Sequence, residues 1–117
     1  MKKNIIREKS ADFGVRIVEL ARYLKKNKAE AVLINQILRS GTSVSANIHE
    51  ATVSFTKKEF ASKISIALKE ARETNFWLQL LVKTNTLTKK EFGSISSDCL
   101  EIEKILFSIL KTMRTKK

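Results

Sequence analysis

Residues 39–51 read RSGTSVSANIHEA, with four hydroxyls, a glycine, an asparagine, a glutamate and the only histidine of the chain. Such a stretch fits either an active site or a helix face of small side chains set between apolar ones. The spacing separates the two. Ile34, Ile37, Gly41, Val44, Ile48, Ala51 and then Phe55 recur at alternating threes and fours, which is one face of a helix. Gln36, Ser40, Ser43, Asn47, Glu50 and Ser54 follow the same rhythm one residue earlier, about 100° round the helix. They flank the core seam, where small hydroxyls permit close helix approach and bond to backbone or polar partners. Gly41 inside the apolar stripe costs about 1 kcal/mol of helix stability relative to alanine, which a closely approaching neighbour would offset; the alternative reading is a local kink. Arg39 needs a partner if it faces inward. Counting through a turn near Phe55 into an antiparallel third helix brings it to residues 72–73, so Glu73 is its first candidate and Glu70 its second.

The enzyme reading fails on the same geometry. His49 and Glu50 are adjacent on a helix and diverge by about 100°. Neither Ser43 nor Ser45 lies three or four residues from His49 with an acid behind it. One histidine cannot supply the two Glu-x-x-His pairs of a di-metal bundle site. There is no HExxH, glycine-rich phosphate loop or cysteine pair. No catalytic residue, metal site or cofactor is expected. Cys99 falls on a heptad core position and reads as an inert buried thiol.

Working outward, three more helices follow from period and caps. Phe13, Ile17, Leu20, Ala21 and Leu24 define a first helix over about 10–26, with Ser10 as its cap and Asn27 at its stop. The central stretch belongs to a second, over about 30–53. TKKEF occurs at 56–60 and again at 88–92, and each copy can form a capping box, Thr56 with Glu59 and Thr88 with Glu91. These open a third helix over about 57–83 and a fourth over about 89–113, followed by a basic tail over 111–117. The fourth holds a heptad run, Phe92, Ile95, Cys99, Ile102, Leu106, Ile109 and Met113. Short connections make consecutive helices antiparallel neighbours, so the expected fold is all-α, a single-domain up-down-up-down four-helix bundle. Ile66, Trp77, Leu80 and Leu81 on the third helix, and Leu100, Phe107 and Leu110 on the fourth, widen the apolar surface. That width suggests burial against other copies of the chain.

The chain has 117 residues, no proline, three glycines, one cysteine and a formal charge of +11. Residues 1–28 carry nine Lys/Arg against three acids, and KTMRTKK at 111–117 adds four cations with no acid. A lone cysteine and the lack of a long apolar run point to a soluble cytoplasmic protein away from membranes. The charge favours polyanions such as RNA or DNA. Candidate phosphate contacts are Lys25, Lys26, Lys28, Lys57, Lys58, Lys89, Lys90, Lys111, Arg114, Lys116 and Lys117. No RNP motif or recognition-helix pattern accompanies them, so binding should be weakly sequence-specific. The alternative is a protein-interaction scaffold that docks an acidic or nucleic-acid-processing partner.

Gln36, Arg39, Ser40, Ser43, Ala46-Asn47-Ile48, Glu50 and Ala51 resemble the Q-x-x-R-S-x-x-S-x-x-A-N-I-x-E-[GA] signature of the 23S rRNA intervening-sequence protein family of bacterial four-helix bundles. Phe60, Ile66-Ala67, Lys69 to Thr74 and Trp77-Leu78 resemble its third-helix block, and Glu8-Lys9-Ser10, Phe13 and Arg16-Ile17-Val18 its opening. The resemblance implies a bundle that assembles as a homo-oligomeric ring, typically a pentamer. Similar proteins are accessory factors of diversity-generating retroelements, where a basic ring binds the reverse transcriptase and nucleic acid. Two positions depart from the pattern: His49 stands where an acidic or other polar residue is usual, and Gly14 where alanine is common.

Overall fold

The computed structural model describes residues 2–115, with side-chain surroundings given for 5–114. Four helices account for nearly all of it: α1 (Lys2–Lys26), α2 (Ala31–Thr52), α3 (Lys57–Lys83) and α4 (Lys89–Thr115). They pack into a rod of 48 × 21 × 21 Å. Each helix packs on its sequence neighbour, α1 also meets α4, and the α1–α4 seam is the sparsest. There is no strand among the described residues.

The apolar stripes meet in one core. Phe13, Ile17 and Leu24 of α1, Ile37, Val44 and Ile48 of α2, Ile64, Leu78 and Leu81 of α3, and Ile102 and Leu106 of α4 are almost wholly buried. Leu81, expected to widen the outer surface of α3, is a core residue. Phe55, expected to continue the α2 stripe, is 98% exposed. The reason is local: α2 ends at Thr52, so Phe55 lies beyond the helix and its period no longer applies.

The start of α1 also differs from expectation. Ser10 is not a cap. It sits inside the helix, buried, with its Oγ donating to the Arg7 carbonyl at 3.0 Å. Ile6, also buried, extends the core stripe about two turns ahead of Phe13, and the helix reaches back to Lys2. Both TKKEF copies do open helices. Glu59 N–H donates to Thr56 Oγ1 at 3.0 Å, and Glu91 N–H to Thr88 Oγ1 at 3.1 Å. The Glu91 carboxylate accepts from the cap residue's own N–H at 2.9 Å, whereas Glu59 reaches one residue further back, to Phe55 N–H at 3.0 Å.

Two glycines set how closely α1 and α2 approach. A Cβ on Gly41 would lie 2.7–2.8 Å from three side-chain carbons of Ile17. A Cβ on Gly14 would lie 2.6 Å from Ser45 Oγ, which donates to the Ser10 carbonyl. Gly14, a departure from the resembled pattern, thus belongs to the same packing line as Gly41.

α1 and α3 both stop in Schellman geometry. Ala29 N–H bonds the Leu24 carbonyl and Lys28 N–H the Lys25 carbonyl. Thr86 N–H bonds Leu81 and Asn85 N–H bonds Val82 in the same way. The left-handed position that usually takes glycine is filled by Lys28 (φ 62°) and Asn85 (φ 60°). For lysine that conformation costs on the order of 1 kcal/mol.

Candidate nucleic-acid interface

The cations expected to meet phosphate fall into two groups at opposite ends of the rod. Tyr23 Oη donates to Glu91 Oε2 at 2.7 Å, placing the end of α1 beside the start of α4. This bond raises the Tyr23 pKa, while the Thr88 N–H and Tyr23 together hold the Glu91 carboxyl below its usual range. Lys25, Lys26 and Lys28 on one turn and Lys89 and Lys90 on the other therefore share one end. Lys83, the last residue of α3, joins them and was missed as a candidate, although only residues 84–88 separate it from Lys89. All six are exposed, and none pairs with a described acid. The acids nearest in the chain are Glu30 and Glu91.

The second group lies at the other end. Ser96 Oγ donates to Asn75 Oδ1 at 3.0 Å, and Arg72 Nε lies 3.9 Å from Glu103, so rising numbers on α4 meet falling numbers on α3. Lys57 and Lys58 at the start of α3 and Lys111 and Arg114 at the end of α4 thus fall toward that end, all exposed. Lys116 and Lys117 lie outside the described residues.

Between these ends, the α2 motif pins the α2–α3 seam. Arg39 Nη2 donates to Glu73 Oε2, and Nη1 to Glu70 Oε1 at 3.4 Å. Its Nε and Nη2 also reach Gln36 Oε1 at 3.2 and 3.1 Å. Trp77 Nε1 shares Glu73 Oε2 at 3.0 Å, a partner that sequence reasoning did not supply. Arg39 finds Glu73 and Glu70 as partners without facing inward. Its side chain is 51% exposed, because Ser40 occupies the core-facing position one residue on. Ser40 Oγ donates to the Gln36 carbonyl at 2.8 Å, and the buried Thr74 hydroxyl lies 3.0 Å from Ser40 Oγ. Asn47 bonds within its own helix, to the Ser43 carbonyl at 2.9 Å. Glu50 pairs with Lys63 at 2.6 Å, and that ammonium holds its carboxyl below the usual range. Solvated pairs of this kind are screened by water and salt, so they select register more than they add stability. His49 is exposed.

Further cross-links were not legible in sequence. Arg16 on α1 donates to Asp98 Oδ2 and, at 3.0 Å, to Ser94 Oγ on α4, and Lys9 meets Glu101 at 3.1 Å. A cleft of about 420 Å³ beside Arg16 and Tyr23 follows this seam. Cys99 is fully buried and donates to the Ala71 carbonyl at 3.2 Å. Burial first, then the neighbouring Glu103 carboxylate, pushes its thiol far above the ordinary range. Native protein should therefore resist alkylation by iodoacetamide near pH 8 and react only after denaturation. Rapid labelling of folded protein would contradict that burial. Among the described residues, no group of three or more His, Cys, Asp or Glu side chains could hold a metal ion. No described helix is long and apolar enough to cross a membrane.

Four packed helices, a polar-pinned seam and lysine-rich ends define a small basic helical-bundle protein. The chain belongs to the 23S rRNA-intervening sequence protein family, whose model matches residues 2–108. It is similar to a crystal structure from Bacteroides thetaiotaomicron, a protein of unknown function in the S23 ribosomal protein family. That likeness has 48% identity and a TM-score of 0.91, covering 95% of this chain and 99% of the other. Among curated proteins none matches.

Proposed function

We propose that this protein is a non-catalytic, cytoplasmic nucleic-acid-binding member of its family that holds RNA or DNA by its phosphates with weak sequence specificity. The observation that carries this reading is the end cluster of Lys25, Lys26, Lys28, Lys83, Lys89 and Lys90, exposed and unpaired with any described acid. Lys89 and Lys90 lie in the first turn of α4, where the helix dipole already favours an anion.

The bundle in this reading is antiparallel, up-down-up-down. The pairs Arg39 with Glu73 and Glu50 with Lys63 support it, since one number rises as the other falls. Copies associate as a homo-oligomeric ring, a pentamer by the family resemblance. Support comes from large apolar side chains left in solvent on α3 and α4: Ile66, Phe76, Leu100 and Phe107. A ring multiplies the basic ends and gives avidity without new contacts. The same apolar side chains support a second reading, a scaffold that docks a protein partner.

The test is binding of nuclease-treated protein to labelled RNA and duplex DNA across a salt series, with mass in solution measured on the same sample. With about six phosphate contacts, affinity should fall on the order of a thousandfold between 50 and 200 mM salt. No measurable binding at low salt would sink this reading. A protein that co-purifies through nuclease treatment would favour the scaffold.

A further inference from the structure

The two TKKEF turns have the same five residues and different outcomes just before them. A residue preceding a helix cap commonly packs on the fourth residue of the helix, as a hydrophobic staple. At the second turn the preceding residue is Leu87, which is 3% exposed and part of the core. At the first it is Phe55, which leaves 98% of its surface to solvent. The TKKEF chemistry therefore does not force the ring outward.

The turn that carries the exposed ring is nevertheless tied down by hydrogen bonds. Phe55 N–H donates to Glu59 Oε1 at 3.0 Å, Ser54 N–H to the Ala51 carbonyl at 3.1 Å, and Ser54 Oγ to the Glu50 carbonyl at 3.0 Å. Lys57 and Lys58 follow in the first turn of α3, and Lys111 and Arg114 end α4 at the same end of the rod. The acids near this turn are engaged: Glu59 with the Phe55 backbone and Glu50 with Lys63. An uncovered aromatic face carried on a hydrogen-bonded turn beside unpaired cations has the make-up of a stacking platform for an unpaired base whose phosphates meet the lysines. A duplex keeps its bases stacked on one another and offers the ring nothing comparable.

We propose that Phe55, flanked by Lys57 and Lys58, is a base-stacking element that gives this protein a preference for single-stranded over duplex nucleic acid. The inference rests on the nucleic-acid reading above. It adds a substrate class and a second contact, at the end of the rod opposite the Lys25–Lys90 cluster.

The test compares wild type with Phe55→Ala and Phe55→Leu. The probes are a fluorescent 20-nucleotide oligo(U), an RNA duplex of equal length and vesicles containing phosphatidylserine. Solution mass is recorded for each variant. Phe55 buries almost nothing, so both variants should fold with unchanged thermal midpoints. Wild type should bind oligo(U) more tightly than duplex. Either variant should lose about tenfold on oligo(U), the worth of one stacked base, with duplex affinity unchanged. Phe55→Leu keeps the apolar bulk without the π face, so its loss separates stacking from simple burial. Equal wild-type affinities with no effect of either variant would overturn this inference and leave the nucleic-acid reading standing. Absence of all wild-type binding would end both. A fall in solution mass on Phe55→Ala would make the ring a subunit contact instead. Vesicle binding that Phe55→Ala abolishes, with oligo(U) binding intact, would make it a membrane anchor.

Discussion

Gly41→Leu is expected to destabilise the protein by at least about 3 kcal/mol, a large share of the roughly 5–15 kcal/mol that holds a domain of this size together. A single added carbon at Gly41 already falls 2.7–2.8 Å from Cγ1, Cγ2 and Cδ1 of Ile17, which is itself fully buried. Two of those atoms branch directly from Cβ, so no rotamer change clears both. α1 and α2 must separate, and the Ser45–Ser10 bond along the same line goes with them. Gly41→Ala should show a smaller loss, because overpacking of about 1–3 kcal/mol is partly offset by about 1 kcal/mol of helix propensity. Thermal denaturation measures both. Ile17→Ala placed in the Gly41→Leu background should recover part of the loss, although alone it costs about 2–5 kcal/mol. Independent, additive effects of the two substitutions would show that no close approach exists at this point.

Replacing Lys25, Lys26, Lys89 and Lys90 together by glutamate should reduce nucleic-acid affinity more than a hundredfold at low salt. The slope of log affinity against log salt should become shallower by about four contacts' worth, roughly 0.9 for each. All four side chains are exposed and without ion pairs to described acids, so the fold should survive. The helix dipoles nearly cancel in the exchange. Glutamate is favoured over lysine at the start of α4 and disfavoured at the end of α1, each by a few tenths of a kcal/mol. Circular dichroism and a salt titration on one sample make the test. Unchanged affinity and slope in a folded variant would move the interface away from these turns.

How much could be read in advance follows from the range of the interactions. The helix starts at Thr56 and Thr88 were legible because a capping box is a four-residue device. The Arg39–Glu73 contact was legible because one short turn fixes the register of α2 against α3. Ser10 misled because a serine ahead of an apolar stripe resembles a cap, and only tertiary burial of Ile6 shows that α1 begins earlier. Arg16 with Asp98 joins helices distant in the chain, where no turn lets residues be counted across. The stop of α1 was legible at Asn27, and the helix does end at Lys26, although its left-handed position is filled by Lys28 and not by the glycine that usually announces such a stop.

The sparse α1–α4 seam sets the order in which the molecule comes apart. The three other helix interfaces join sequence neighbours, so most stabilising contacts are local and the chain can assemble by adding one helix at a time. Closing α4 onto α1 is the one step that must bring distant parts of the chain together, and it gains the least packing. α2 and α3, each flanked by two extensive interfaces, form the slowest-opening unit. α1 and α4 are the more readily exchanged outer layers, so the middle of the sequence is the kinetic anchor of the fold.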